Sequence, residues 1–199
     1  MANLLYLRAS LFGDNGNSSQ LAAAFIERWQ AAHPDGAVTL RDLTGSALPH
    51  LDAERVSAFF TPAAERNAAQ QAVIAESDVL IEELRQADHV VIGLPMYNFG
   101  IPSQLKAWID HVARAGETFR YTENGPVGLL DNTPVTVLAA RGGQYADTGS
   151  DHQVPYLRQF LGFIGLSEVR FVFAEGMNMS EHKAQALQRA LAEVAELAL

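Results

Sequence analysis

Three loops carry the residues best suited to chemistry. The stretch Gly93-Leu94-Pro95-Met96-Tyr97-Asn98-Phe99-Gly100-Ile101-Pro102-Ser103-Gln104-Leu105 follows the apolar run His89-Val90-Val91-Ile92 and precedes an amphipathic segment. A strand therefore ends in a loop dense in aromatic, amide, Gly and Pro residues, and a helix follows. Tyr97, Asn98 and Phe99 can offer stacking faces and amide hydrogen bonds to a flat heterocycle; an ordinary aromatic-rich turn accounts for the same residues. A second loop, Ser10-Leu11-Phe12-Gly13-Asp14-Asn15-Gly16-Asn17-Ser18-Ser19-Gln20, sets glycine, amide and hydroxyl groups at a helix N-terminus. Free N–H groups and the positive end of the helix dipole attract a phosphate there. The loop is neither GxGxxG nor a Gly-Lys-Ser/Thr phosphate loop, and Asn17 or Ser18 acting as a helix cap would explain it equally. In the third, Ala140-Arg141-Gly142-Gly143, adjacent glycines let a backbone approach a ligand without side-chain bulk, or simply form a flexible strand exit.

All three loops follow strands, at the sheet edge where open α/β folds hold their ligands. One ligand can touch all three, and their coincidence points to a binding cleft.

Other chemistry is sparse. The chain has no cysteine, which excludes disulfides, thiolate zinc sites and a cysteine nucleophile. The six histidines, at positions 33, 50, 89, 111, 152 and 182, form no HxH or HExxH pattern. Asp110-His111 point to different sides of a helix and read as structural or solvent-facing. Glu82-Glu83 and Glu193 with Glu196 read as solvated helix faces. No G-x-S-x-G elbow occurs, so a serine hydrolase is disfavoured. The formal charge of −9 without a basic run argues against a nucleic-acid partner. The apolar N-terminus Met1–Leu7 lacks the basic start and small-residue cleavage site of a secretory signal. No stretch reaches the roughly 18–20 apolar residues of a membrane span. A cytoplasmic location is compatible with all of this.

The elements that must position the loops follow from hydrophobic period. The length of 199 residues suits one domain spanning 1–199. Apolar runs at 4–7, 37–43, 90–92, 135–140 and 169–173 read as strands. Leu21, Phe25 and Trp29 recur at helical spacing, as do Val73, Leu80 and Leu84 within 64–86, and Leu105, Trp108, Ile109 and Val112. Leu157, Phe160, Leu161 and Ile164 mark a further helix, and Leu187, Leu191 and Val194 a C-terminal one. Residues 44–63 read as irregular. The blocks 118–121 and 127–130, around Asn124-Gly125-Pro126, read as a small hairpin outside the main sheet. Alternating helices and near-continuous apolar strands predict an α/β fold: a three-layer, doubly wound, parallel five-stranded sheet.

Taken together, these blocks resemble the FMN-dependent NADH-azoreductases of bacteria, which also reduce quinones and have a flavodoxin-like fold. The matching segments are Pro95–Phe99, Arg114–Gly116, Thr118–Pro126, Arg141–Gly143, Phe160–Gly165 and Phe171–Gly176. The resemblance implies a strand order of 2-1-3-4-5 with the cofactor at the β1/β3 switch point. It implies tightly bound FMN, with NADH or NADPH as electron donor. Ser10, Gly16, Asn17 and Ser18 would hold the phosphate. Met96, Tyr97, Asn98 and Phe99 would line the isoalloxazine edge, and Ala140, Arg141, Gly142 and Gly143 its pyrimidine side. Family members often carry serines at the places of Gly16 and Ala140. The two hydroxyls missing here throw phosphate contacts onto backbone N–H groups, Ser10, Asn17 and Ser18, and loosen the hold on FMN.

The resemblance also implies a homodimer with active sites at the interface, acting on small aromatic acceptors. Phe60, Tyr121, Phe163 and Phe173 would wall the substrate slot; read from the residues alone, each serves equally as packing. Phe60 stands where some relatives carry arginine, which implies a more apolar pocket. The implied activity is ping-pong hydride transfer through FMN to quinones, and reductive cleavage of azo compounds, with no protein nucleophile or acid. A flavodoxin-like single-electron carrier or regulatory flavin-binding module is the alternative.

Overall fold

A computed structural model describes residues 1–45, 48–179 and 183–199. Its centre is a parallel sheet of β1 (Asn3–Arg8), β2 (Ala37–Asp42), β3 (His89–Pro95), β6 (Val135–Ala140) and β7 (Val169–Ala174), in the order β2-β1-β3-β6-β7. This is the expected 2-1-3-4-5 order once the two hairpin strands, β4 (Phe119–Thr122) and β5 (Gly125–Gly128), are counted. β3 and β6 are buried at every residue, because helices cover both faces; this is why their sequences are continuous apolar runs rather than alternating ones. β2 is an edge strand and is largely exposed.

Alternate strand residues feed two cores. Leu5, Leu7, Ile92, Leu94 and Val137 pack under α3 (Ala68–Gln86), α4 (Ser103–Val112) and α5 (Gln153–Ile164). Leu4, Tyr6, Val91, Leu138 and Val172 pack under α1 (Asn17–Ala32) and α6 (Lys183–Glu196). The periodic residues read from the sequence supply the covering layer: Leu21, Phe25 and Trp29 from α1, Leu80 and Leu84 from α3, Trp108 and Ile109 from α4, and Leu157 and Leu161 from α5.

The stretch expected to be irregular holds a helix, α2 (Ala53–Phe60). Asp52 caps it, its carboxylate accepting the Arg55 N–H at 2.8 Å, and Pro62 follows it. The signal was a cap and a stop around only eight residues, too short for a hydrophobic period to register. Ser46 and Ala47 of the same stretch, and His182, lie outside the described residues. α3 starts later than expected. Ala63–Glu65 form a 3₁₀ turn, and Asn67 and Gln70 make a reciprocal capping box at the helix start. The hairpin lies outside the main sheet as expected, with Tyr121 opposite Pro126.

From β1 the chain crosses to β2 on one side and then to β3 on the other. Loops leaving the carboxyl ends of β1 and β3 therefore diverge and leave a crevice between them.

His89, buried at the start of β3, takes Thr136 Oγ1 as its Nε2 partner at 2.9 Å. Burial, assisted by the Arg170 charge, pulls its pKa down from 6.5 to about 4. Below pH 6.5 the unfolded chain takes a proton that the fold refuses. Stability is therefore full above that pH and falls towards pH 4, by up to about 1.4 kcal/mol per unit. Asp42, held well below the usual carboxylate range mainly by the Arg8 guanidinium, adds a loss only at more acidic pH. The expected outcome is that His89→Gln flattens the decline in urea-unfolding free energy between pH 7 and 4.5. An unaltered slope would remove His89 as its source.

Candidate functional site

The β1–α1 loop is built around a close approach. Ser10 is buried and its hydroxyl accepts the Phe12 N–H at 3.3 Å. A Cβ at position 16 would lie 2.8 Å from Ser10 Cβ and closer still to its hydroxyl, so a side chain there requires Ser10 or the loop to shift. Neither Asn17 nor Ser18 caps α1: Gly16 is the N-cap and no side chain bonds the helix end. The N–H groups of Asn17, Ser18 and Ser19 have no acceptor among the described residues. Among the described residues the buried hydroxyl of Ser18 has no partner, and that of Ser19 has only the Tyr6 hydroxyl beside it. A buried hydroxyl left unbonded costs about 1–3 kcal/mol, and free N–H groups at a helix start carry partial positive charge. The arrangement is made for an anion.

Arg8 braces this loop from below. Its guanidinium bonds Asp14 in the loop and Asp42 at the end of β2, the latter at 2.7 Å.

After β3 the chain makes a tight turn in which Tyr97 and Gly100 exchange N–H···O bonds of 3.2 and 3.0 Å. Asn98 and Phe99 between them have φ of +49° and +66°, the left-handed region. For non-glycine residues this costs about 1–2 kcal/mol each. Neighbouring loops hold the turn in place. The Tyr97 hydroxyl accepts the Leu11 N–H at 3.1 Å, and Met96 N–H donates to the Ala140 carbonyl at 3.1 Å. From α5, Gln153 Nε2 donates to the carbonyls of Pro95 and Gly100 at 3.1 and 3.0 Å. The Phe99 ring stays more than half exposed, with the edge of Tyr145 5.8 Å away. A cavity of about 550 Å³ opens beside Leu11, Met96, Tyr97 and Asn98.

The β6 exit gives a correction. Arg141, expected at the ligand, is buried and turned away from the cleft. Its N–H donates to Ala174 O at 2.9 Å, and its carbonyl accepts Met177 N–H at 3.0 Å. Its guanidinium bonds Asp151 at 2.9 Å, Glu175 at 3.1 Å and Gln153 Oε1 at 3.1 Å, and lies 4.7 Å over the Phe173 ring. Burial raises the Asp151 carboxyl, but the Val154 N–H and the Arg141 guanidinium outweigh it and hold the group below its ordinary value. Glu175 also accepts the N–H groups of Tyr145 and Ala146 at 2.8 and 2.9 Å. Gly142 and Gly143 remain at the surface of the loop. Their carbonyls accept from Asn178 and Gly176 at 3.0 and 2.8 Å, and their N–H groups have no acceptor among the described residues.

Ser10, Gly16–Ser18, Met96–Phe99, Ala140, Gly142 and Gly143 thus share one sheet edge, tied together by the Leu11–Tyr97 and Met96–Ala140 bonds. The expected aromatic wall does not join them in the same chain. Phe163 ends α5 at the opposite pole, against Phe119 at 4.3 Å, with Tyr121 5.6 Å beyond. Phe60 ends α2, whose Arg55 and Phe59 reach His111 and Arg114 at the far end of α4. Phe173 lies near the loops but packs beneath Arg141 and beside Phe171. Residues that sequence reasoning passed over include Ser19, Asp151 and Gln153. Asp151-His152-Gln153 ahead of an apolar helix face was a legible cap signal, and Asp151 does accept the N–H groups of Gln153 and Val154.

Replacing Arg141 by methionine would strand Asp151 and Glu175 without their cation. A loss of about 3–5 kcal/mol in urea-unfolding free energy is expected, and a loss below about 1 kcal/mol would show that the ion cluster is dispensable.

Comparison with known proteins agrees with this architecture. A family model described as a flavodoxin-like fold matches residues 2–198. The chain is 60% identical over 193 residues to an FMN-dependent NADH:quinone oxidoreductase of Alcanivorax borkumensis, covering 96% of this chain and 98% of that one. An azoreductase from Bacillus anthracis superposes with a TM-score of 0.90 at 30% identity, over 98% of each chain. A second B. anthracis protein, an FMN-dependent NADH-azoreductase solved in complex with FMN, gives 0.87 at 26% identity over the full length of both. With its strand order, its converging loops and these likenesses, the chain belongs to the flavodoxin-like family that includes the FMN-dependent NADH:quinone oxidoreductases and azoreductases.

Proposed function

We propose that the protein is an FMN-dependent oxidoreductase, a single FMN-binding domain over residues 1–199. It passes hydride from NADH or NADPH to quinones in a ping-pong cycle, and it reductively cleaves aromatic azo compounds. The observation that carries this reading is the start of α1, where N–H groups and the Ser18 hydroxyl, without partners among the described residues, stand together. A phosphate bound there would be offered these N–H groups and the Ser18 hydroxyl. The residues fit FMN: Ser10, Gly16, Asn17 and Ser18 hold the phosphate, Met96–Phe99 line the ring, and Ala140, Gly142 and Gly143 offer backbone to its polar side. Where a serine at position 16 would be expected to help, the side chain of Ser10 already fills that space. The phosphate contacts then rest on backbone N–H groups, Ser10, Asn17 and Ser18.

Bound FMN would supply the hydride chemistry itself. The chain supplies orientation. The turn at 97–100 presents Asn98 and the half-open face of Phe99. The N–H groups of Gly142 and Gly143, without an acceptor among the described residues, would meet negative charge on a bound ring without needing to reorganise. Arg141 acts from beneath, through the groups it fixes.

The remaining expected wall, Phe60, Tyr121 and Phe163, lies at the other pole of the chain. Phe60 and Tyr121 are 78% and 74% exposed, an unusual state for large apolar side chains. A homodimer supports both observations: a second copy would bring these rings over the loops and cover them. Among the described residues no helix is long and apolar enough to cross a membrane, and we place the enzyme in the cytoplasm.

The test is steady-state kinetics with NADH and a benzoquinone. Parallel double-reciprocal lines are expected; intersecting lines, or purified protein without a flavin spectrum, would overturn the reading. Ser18→Ala should weaken FMN retention by about tenfold, the equivalent of about 1.4 kcal/mol, and leave riboflavin retention unchanged. Phe60→Arg should shift relative kcat/KM towards sulfonated acceptors. Equal ratios across a panel of charged and neutral acceptors would remove Phe60 from the pocket.

A further inference from the structure

We infer that Gln153 is a positioning residue for the flavin ring, acting through the turn at 97–100; this inference rests on the flavin-binding reading above. Gln153 is the first residue of α5 and has no exposed surface. Its amide is fully engaged. Nε2 donates to Pro95 O and Gly100 O at 3.1 and 3.0 Å, and Oε1 accepts from Arg141 Nε at 3.1 Å. The two carbonyls stand at the two ends of the turn, so one side chain clasps it from behind.

The orientation of that amide is not free. A guanidinium has only donors, so Arg141 must face the oxygen and the NH₂ must face the turn. Asp151 and Glu175 in turn hold Arg141, and Asp151 also accepts the backbone N–H of Gln153 at 3.0 Å. The exits of β6 and β7, the start of α5 and the turn after β3 therefore form one bonded unit.

The turn needs such a clasp. Asn98 and Phe99 both sit in the left-handed region, and conformations of that kind persist only where their surroundings over-determine them. Of the bonds that do so, those from Gln153 are the ones made by a fully buried side chain at both ends. Removing its donors frees the turn to relax and to carry Asn98 and Phe99 away from the ring, while the phosphate end at α1 is left intact.

Two variants test this. Gln153→Glu keeps an oxygen for Arg141 but has no proton for the two carbonyls. Gln153→Met removes the polar contacts at similar volume and serves if the glutamate variant does not fold. Each protein is loaded with FMN or with riboflavin and diluted, and flavin release is read from recovery of its fluorescence. Visible circular dichroism of the bound flavin is recorded alongside. The expected result is release at least tenfold faster than wild type, by the same factor for both flavins, with an altered dichroism band. Ser18→Ala, by contrast, should speed release of FMN alone. Release within twofold of wild type from a folded variant would overturn the inference, even if its thermal stability fell, because a merely structural role moves stability and not ring affinity. Faster release confined to FMN would overturn it too, by placing the effect at the phosphate. A wild-type protein that carries no flavin would defeat the flavin reading itself, an outcome distinct from either.

Discussion

A guanidinium removed from water and surrounded on every side is the constraint on which the functional edge depends. Arg141 is fully buried, yet all its neighbours are chosen for it: two carboxylates, an amide oxygen and the face of Phe173. Burying a charge is expensive unless it is paired and fully bonded, so the cluster forms as a whole or not at all. Its members come from the end of β6, the loop before α5, the first residue of α5 and the residue after β7. Pairing the charge therefore draws separate pieces of chain to one point, and Gln153 passes that fixed position on to the turn after β3.

The other half of the edge is organised by an unmet demand. At the start of α1, N–H groups and the Ser18 hydroxyl find no acceptor or donor among the described residues. Folded chains rarely leave buried polar atoms unpaired, and an exception at a helix start beside glycine is the mark of a place kept for an outside anion. Thus one side of the crevice is fixed because the groups around Arg141 are paired, and the other is ready for a ligand because several of its groups are not. Arg8 and its two carboxylates join the ready side to the sheet.

Much of this was legible in the residues themselves. Continuous apolar runs identified the central strands β3 and β6, since burial on both faces removes alternation; the helices showed their inward stripes. The aromatic and glycine-rich loops were expected at one edge of the sheet, and the structure brings them together there. What escaped was directional. A sequence shows that Arg141 is charged but not that its charge points inward, since the partners lie 10 and 34 residues further along. α2 escaped because eight residues are too few for a period. Tyr121 and Phe163, expected beside the loops, instead flank Phe119 at the far pole of the chain.

The crowding at Gly16 has a consequence for how this loop can vary over time. A side chain there meets Ser10, and Ser10 itself is enclosed by the loop it serves. The two positions share space, so a side chain at 16 is admitted only if Ser10 turns or the loop shifts. Replacements at 10 and 16 should consequently travel as pairs among descendants of this chain, each tolerated mainly on the background of the other.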